Sequence, residues 1–150
     1  MNVLYCGDKN IEDGLIISVL SLLKNVETVI NVFVLTINSK EWNIKGVTDK
    51  CIDILDSKMK VINSENSIKK IDITEIFEKE VPARNMKTRF TPCCMLRLFA
   101  DEITDIPDRI LYLDNDVICR KDCQEFYNQD MENYEIARFF RLLWKMVFQK

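Results

Sequence analysis

The chain has 150 residues, which fits one domain, and 47% of them are hydrophobic, which is enough to bury a core. Its formal net charge is −3 and its lysines and arginines are scattered, so a nucleic-acid-binding surface is not expected. No apolar run approaches the ~20 residues of a transmembrane helix, and the N-terminus lacks the pattern of a signal peptide. We therefore expect a cytoplasmic protein without a membrane-spanning segment, and leave a peripheral membrane location open.

Histidine and cysteine usage excludes several kinds of site. Because the chain has no histidine, neither a Ser-His-Asp nor a Cys-His catalytic arrangement can form within it. Among its six cysteines, Cys119 and Cys123 form one Cys-x-x-x-Cys, but no second pair exists to complete a zinc site. We expect reduced thiols, most of them in the core.

Strand and helix patterns alternate in the first half of the chain. Residues 1–6 predict a strand. Asn10 is a suitable N-cap for a helix that ends near Asn25, because apolar residues recur there at helical spacing. Residues 29–36, rich in Val and Ile, predict a second strand, and residues 41–55 predict a second helix.

The alternation continues in the second half. Residues 59–62 predict a short third strand, and residues 63–85 predict an irregular, mobile loop with one helical turn around residues 73–77. A helix is expected to begin at Thr91-Pro92, where a cap is followed by a first-turn proline. Residues 109–113 predict a fourth strand. This order predicts an α/β fold with a mostly parallel sheet flanked by helices.

The end of the chain departs from this pattern. Residues 122–127 predict a short turn or helix, and residues 134–137 the start of another strand. Residues 138–150 are abruptly apolar and basic. They fit an amphipathic helix or the out-of-frame end of a truncated gene, and both alternatives stay open. We divide the chain into residues 1–137 and this atypical tail, through which we expect self-association if it is exposed.

Two aspartates directly follow the fourth predicted strand. In extended backbone, the side chains of Asp114 and Asp116 would point the same way. Two like charges ~6 Å apart repel by ~3 kcal/mol at an effective dielectric of ~20, and a cation between them removes that repulsion. Hard divalent ions such as Mg²⁺ or Mn²⁺ suit such oxygen ligands.

A second polar position falls at a comparable place. Asp8 follows the first predicted strand, and ligands of parallel α/β sheets bind beyond the carboxyl ends of the strands. The chain has only three glycines and neither a Gly-x-Gly-x-x-Gly nor a Walker sequence. A phosphate group would therefore be held by a metal ion and not by a glycine-rich loop.

Four motifs in chain order resemble glycosyltransferase family 8. They are Tyr5-Cys6-Gly7-Asp8-Lys9-Asn10, Ser18-Val19-Leu20-Ser21-Leu22, Thr91-Pro92-Cys93-Cys94-Met95-Leu96-Arg97-Leu98 and Ile110-Leu111-Tyr112-Leu113-Asp114-Asn115-Asp116-Val117. The family comprises retaining, metal-dependent enzymes of the GT-A (Rossmann-like) fold, similar to bacterial lipopolysaccharide galactosyl- and glucosyltransferases. The resemblance covers residues 1 to about 137. It implies transfer of a hexose from a UDP-sugar donor to a glycan or lipopolysaccharide-type acceptor with retention.

The resemblance also implies a metal site. Asp114 and Asp116 match the pair that binds Mn²⁺ (or Mg²⁺) bridging the diphosphate of the UDP-sugar. In the family, the third metal ligand is a histidine of the later half, where acceptor-binding residues also lie. This chain has no histidine and matches the first half alone. We expect a truncated GT-A domain with weak or no activity of its own.

Six further residues match nucleotide-sugar-binding positions of the family: Cys6, Gly7, Asp8, Asn10, Arg97 and Asn115. By this resemblance, Asp8 and Asn10 contact uracil and ribose, and Cys6 and Gly7 add backbone contacts. Arg97 matches an arginine that reaches the nucleotide sugar. Asn115 matches a variable position whose backbone lies near the ribose.

Plainer interpretations of the same residues stay open. Asp114 and Asp116 could form a solvated turn. Asp8 could act only as a helix cap, and Arg97 could form only an ion pair with Asp101 on its own helix.

Two other functions compete with the transferase. A haloacid-dehalogenase-type phosphatase also follows an apolar strand with Asp-x-Asp, and would use Asp114 as nucleophile and Asp116 as general acid. Against it, Ile118 stands where Thr or Val is expected, and the motif lies late in the chain. The non-enzyme alternative is a remnant or accessory domain that pairs with another chain.

Overall fold

The computed structural model describes residues 1–80, 92–131, 134, 136–138 and 145–149. Within them, one sheet contains six strands in the order β3-β2-β1-β4-β6-β5. The strands are β1 (Asn2–Cys6), β2 (Asn31–Thr36), β3 (Ser67–Asp72), β4 (Arg109–Leu113), β5 (Ile136–Arg138) and β6 (Lys145–Gln149). The helices are α1 (Glu12–Asn25), α2 (Asp49–Ile62), α3 (Thr74–Glu80) and α4 (Gln124–Tyr127), with 3₁₀ helices at Lys9–Ile11 and Pro92–Glu102.

The sheet has a parallel part and an antiparallel edge. Strands β3, β2, β1 and β4 run parallel, β6 pairs antiparallel with β4, and β5 pairs antiparallel with β6. The expected α/β fold with a mostly parallel sheet is therefore confirmed. In the register of β1 and β4, Val3 lies opposite Leu111 and Leu4 opposite Tyr112, so both strands end at the same edge.

Both faces of the parallel strands are covered. Val3 and Tyr5 of β1 point into a core formed with α1 and α2. Leu4, between them, points into a second core formed with the 3₁₀ helix Pro92–Glu102 and Phe77 of α3. Because strands buried on both faces need apolar side chains at successive positions, β1, β2 and β4 are continuous apolar runs.

The predictions for α2 and the third strand need correction. Helix α2 begins at Asp49, after Thr48, whose Oγ1 accepts a hydrogen bond from the Cys51 amide at 3.3 Å. The strand predicted at residues 59–62 is wrong, because these residues form the last turn of α2. The third strand is instead β3, inside the segment predicted as an irregular loop.

The start of α1 also differs from the prediction. Asn10 does not cap the helix. Asp8 caps the preceding 3₁₀ turn, and α1 follows with Ile11 at its N-cap position and no side-chain cap. The predicted end at Asn25 is confirmed. Thr91, the predicted start of the later helix, lies outside the described residues, while residues 92–102 are helical.

The tail contributes to the sheet. Residues 145–149 form β6, so the amphipathic-helix prediction is wrong for them. Pairing with β6 satisfies the backbone groups on one edge of β4, the strand that leads to the aspartate pair. The boundary at residue 137 stays a prediction. None of the helices described is long and apolar enough to cross a bilayer.

Candidate functional site

The site lies where β1 and β4 end side by side. Cys6 is the last residue of β1, and Asp114 is the first after β4. Asp114 and Arg97, from the 3₁₀ helix Pro92–Glu102, are both close enough to Cys6 to affect its pKa. The structure therefore brings together three segments that the sequence separates widely.

The aspartate pair sits on a tight turn. The Val117 amide donates a hydrogen bond to the Asp114 carbonyl at 3.0 Å, which closes the turn over residues 114–117. The assumption of extended backbone at Asp114 and Asp116 is therefore wrong. Asp114 and Asn115 are half-buried, and Asp116 is exposed. The carboxylates project from a turn at the tip of a buried strand.

Asp114 is held by two neighbours. The Tyr112 hydroxyl donates a hydrogen bond to Oδ1 of Asp114 at 2.6 Å. Nη1 of Arg97 lies 3.8 Å from the same oxygen, and the guanidinium stands 5.1 Å from the centroid of the Tyr112 ring. Among the described residues, Arg97 pairs with Asp114 and not with Asp101 of its own helix.

Burial controls protonation around this carboxylate. It raises the pKa of the Tyr112 phenol and of the Cys6 thiol far above their usual ranges. Burial likewise raises the pKa of the Cys93 thiol to about 12. At neutral pH, Tyr112 therefore keeps the proton that it donates to Asp114. Cys6 and Cys93 are neutral thiols, unsuited to nucleophilic chemistry.

The loop after β1 is organised by Asp8. Its Oδ1 accepts from the Asn10 amide at 2.9 Å, and its Oδ2 accepts from Nδ2 of Asn10 at 3.0 Å. Asp8 therefore caps the 3₁₀ turn Lys9–Ile11, whereas α1 has no side-chain cap. Gly7 is buried, and its amide donates to the Leu35 carbonyl of β2 at 3.0 Å. The half-buried Asp8 and the exposed Asn10 thus stand on a loop anchored to the sheet.

Sequence reasoning missed Gly14 as part of the site. A Cβ added to Gly14 would lie 2.6 Å from the carbonyl oxygen of Asn115. Helix α1 can therefore approach the aspartate turn only because this residue lacks a side chain. The one signal in the sequence is a glycine in the first turn of a helix, where glycine is unfavourable.

The donor set fits a hard divalent ion that also binds substrate. Within the described part of the chain, no group of three or more His, Cys, Asp or Glu residues is placed to hold a metal. Mg²⁺-type sites, however, commonly use one or two carboxylates and complete their shell with substrate phosphates and water. Asp114 and Asp116 can supply such carboxylates.

A separate open cleft of about 440 Å³ lies beside the ends of β2 and β3. Its charged lining consists of Lys9, Lys45, Lys70, Asp49 and Asp72, and Lys70 pairs with Asp49. Because its cationic and anionic side chains nearly balance, the cleft favours neither sign of ligand charge.

Comparison with known proteins assigns the chain to a family. The profile of glycosyl transferase family 8 matches residues 2–142. The chain therefore belongs to glycosyltransferase family 8. This membership leaves the phosphatase alternative without support. No curated protein sequence matches the chain.

Solved structures agree on the fold. The chain is similar to an active-site mutant of LgtC (TM-score 0.74, 16% identity) and to the galactosyltransferase LgtC in complex with donor and acceptor sugar analogs (TM-score 0.72, 17% identity). Each alignment covers 99% of this chain but only 57% and 58% of the LgtC chains. The glycosyltransferase GlyE of Streptococcus pneumoniae TIGR4 aligns with a TM-score of 0.58 and 17% identity over 99% of this chain and 34% of GlyE. The fold is thus the GT-A, Rossmann-like fold.

Proposed function

We propose that this chain carries the donor-binding part of a Mn²⁺-dependent hexosyltransferase. The reaction would transfer a hexose from a UDP-sugar to a hydroxyl group of a glycan or lipopolysaccharide-type acceptor, with the anomeric configuration retained. One observation carries the proposal: the Asp8 loop and the Asp114–Asp116 turn leave neighbouring strands at the same edge, with Arg97 against Asp114. Because the chain spans 57–58% of LgtC, the proposal for the chain itself is donor binding.

The loop after β1 would bind the nucleoside. Asp8 and Asn10 offer carboxylate and amide groups for uracil and ribose, and Cys6 and Gly7 offer backbone groups. The Asn115 backbone would lie near the ribose. The hydrogen bonds between Asp8 and Asn10 support this assignment, because they fix both side chains before a ligand arrives.

The turn after β4 would hold the metal. Asp114 and Asp116 would bind Mn²⁺ (or Mg²⁺), which when bound supplies Lewis-acid stabilisation of the departing UDP. Among the described residues, Tyr112 and Arg97 both approach Oδ1 of Asp114, which leaves Oδ2 for a ligand. The guanidinium of Arg97 would also attract the anionic donor.

Calorimetry with UDP, with and without Mn²⁺, tests the proposal. We expect Mn²⁺ to tighten UDP binding by ~10-fold or more, because Asp114 and Asp116 would hold an ion that offsets the negative charge of the diphosphate. Asp114→Asn and Asp116→Asn should each remove this enhancement. Asp53→Asn, at an exposed position of α2, is the matched control and should keep it. UDP binding that Mn²⁺ does not change would contradict the proposal.

Location and alternatives belong to the same proposal. All six cysteines are free thiols, which supports a cytoplasmic location, at the membrane periphery if the acceptor is a lipid-linked glycan. The alternative is a non-catalytic remnant or accessory domain. A folded chain that fails to bind UDP at all would favour that alternative.

A further inference from the structure

Helix α1 contacts the backbone of the aspartate turn directly. The Cβ that any other residue would carry at Gly14 would lie 2.6 Å from the Asn115 carbonyl oxygen and 3.0 Å from its Nδ2. The amide group can rotate away, but the backbone oxygen cannot. Because Asn115 stands between Asp114 and Asp116, a side chain at position 14 must shift α1 and the segment that carries both carboxylates relative to each other.

The same helix binds the chain again, a few residues beyond the turn. Oγ of Ser21 accepts a hydrogen bond from the Cys119 amide at 2.8 Å. Nδ2 of Asn25 donates to the Cys119 carbonyl at 2.9 Å. Both polar backbone groups of Cys119 are therefore bound by α1 side chains.

These side chains are fixed within the helix. Oγ of Ser21 donates to the Ser18 carbonyl at 2.7 Å, and Nδ2 of Asn25 donates to the Ser21 carbonyl at 2.8 Å. Gly14, Ser21 and Asn25 are spaced by seven and four positions, so they lie on one face of α1. One rigid surface therefore contacts the chain on both sides of Asp116.

Helix α1 is also tied to the first strand. The Ser18 hydroxyl, on the same face, forms a buried 2.7 Å hydrogen bond with the Tyr5 hydroxyl of β1. The helix begins at Glu12, directly after the loop that carries Asp8 and Asn10. Helix α1 therefore adjoins the loop that carries Asp8 and Asn10 and also contacts the turn that carries Asp114 and Asp116.

We propose that Gly14, Ser21 and Asn25 are positioning residues that fix the Asp114–Asp116 turn relative to the Asp8 loop. They touch neither ion nor nucleotide and act through the backbone of Asn115 and Cys119. The inference rests on the proposed function, since the divalent ion provides its readout. The inference adds a separate claim: the contact of Gly14 with the Asn115 carbonyl sets the distance between the metal-binding carboxylates and the Asp8 loop.

Gly14→Ala in the 150-residue chain is the first test. Displacing the carboxylates by a fraction of an ångström to about 1 Å should weaken UDP binding in Mn²⁺ by ~10-fold or more. UDP binding in EDTA should stay at the wild-type value, because hydrogen bonds within the Asp8 loop and between the loop and β2 hold its shape. Gly46→Ala is the matched control, because its Cβ would lie 3.2 Å from the Ile37 carbonyl oxygen, away from the turn. It should keep the wild-type response to Mn²⁺.

Ser21→Ala removes the hydrogen bond between Ser21 and the Cys119 amide without adding volume. If Gly14→Ala does not fold, Ser21→Ala provides the decisive test. It should shift the midpoint of a Mn²⁺ titration at fixed UDP to higher concentration by a few-fold. Ser21→Thr, which keeps Oγ, should restore the midpoint. Ser57→Ala, which loses only a hydrogen bond to the Asp53 carbonyl on the exposed face of α2, is the control.

The outcomes separate the two proposals. If Mn²⁺ does not enhance UDP binding by the wild type, the proposed function fails and this inference fails with it. If the wild type shows the enhancement and folded Gly14→Ala and Ser21→Ala both keep the wild-type titration midpoint, the inference is overturned and the proposed function stands. A shifted midpoint in Ser21→Ala with rescue by Ser21→Thr supports the inference.

Discussion

The Tyr112 hydroxyl donates a 2.6 Å hydrogen bond to Oδ1 of Asp114, two residues further along the chain. Tyr112 is buried in β4, and burial raises the pKa of its phenol well above the usual range, so it remains a donor throughout the neutral range. The orientation of the half-buried Asp114 carboxylate is therefore set by a residue of the core.

Tyr112→Phe should weaken Mn²⁺ binding while leaving the chain folded. Hydrogen-bonding partners of metal ligands typically contribute 10–100-fold in affinity, and we expect a loss of ~10-fold here. Tyr127→Phe removes another phenol hydroxyl, which donates to the Arg109 carbonyl at the opposite end of β4, and serves as control. Mn²⁺ titration of both variants in the presence of UDP measures the difference. Equal midpoints for the two variants would refute the role of Tyr112.

Arg97→Gln should separate ion binding from donor binding. Arg97 opposes the charge of Asp114 at 3.8 Å, in a partly exposed pair worth on the order of 1 kcal/mol. Without the guanidinium, the carboxylate attracts Mn²⁺ more strongly, so Mn²⁺ affinity should rise by ~5-fold. Affinity for a UDP-sugar at saturating Mn²⁺ should fall, because an anion-binding group is lost. Arg120→Gln, at an exposed position, should change neither quantity.

Asn66→Ala should destabilise the fold away from the site. Asn66 is buried, its Oδ1 accepts from the Ile30 amide at 2.9 Å, and its Nδ2 donates to the Met59 carbonyl at 3.1 Å. Removing the side chain leaves the buried Ile30 amide unpaired, while the Met59 carbonyl keeps its hydrogen bond from the Asn63 amide. The expected cost is ~1–3 kcal/mol in the free energy of unfolding. Asn63→Ala loses one exposed hydrogen bond to the Glu65 amide and should cost ~0.5 kcal/mol. Urea unfolding of both variants checks the contrast, which similar midpoints would contradict.

The buried Cys93 thiol should make stability depend on pH in the alkaline range. Burial raises its pKa to about 12, whereas an unfolded thiol titrates near ~8.5. Between these values the unfolded state binds fewer protons, so the free energy of unfolding falls as pH rises. The contribution is complete below pH ~8.5 and is lost progressively toward pH 12.

Cys93→Ala lacks this titration. The stability difference between wild type and variant should therefore shrink as pH increases from 8 to 10.5, in urea unfolding measured at several pH values. Parallel stability curves for the two proteins would show that Cys93 makes no such contribution.

Strands with two buried faces were predictable, and the polar edge strand was not. Strands β1, β2 and β4 are apolar at successive positions, and this pattern does not depend on distant contacts. Strand β3 lies at the sheet edge and contains two adjacent lysines, a serine and an aspartate beside its two isoleucines, so its sequence is similar to that of a loop. The opposite error occurs at Val61 and Ile62, which are apolar and were predicted to lie in a strand. They are 84% and 57% exposed at the end of α2.

Part of the site was predictable: the carboxyl ends of parallel strands lie together, so Asp8 and the aspartate pair were expected at the same end of the sheet. Asp114 and Asp116 can be located because they directly follow an apolar run. The contact of Gly14 with Asn115 joins segments that are remote in the chain, and no local pattern encodes it. The contact of Arg97 with Asp114 is likewise set by the packing of the 3₁₀ helix on the sheet.

The position of β1 between β2 and β4 has a consequence for biosynthesis. A ribosome releases β1, β2 and β3 before β4, which follows only after residues 73–108 have been made. Until β4 is made, one edge of β1 has no hydrogen-bonding partner, and the apolar side chains of β1 are only partly buried. Completing the central sheet and bringing the aspartates to their place are therefore a single late event. Nascent chains stalled before β4 should be recognised by chaperones as unfinished.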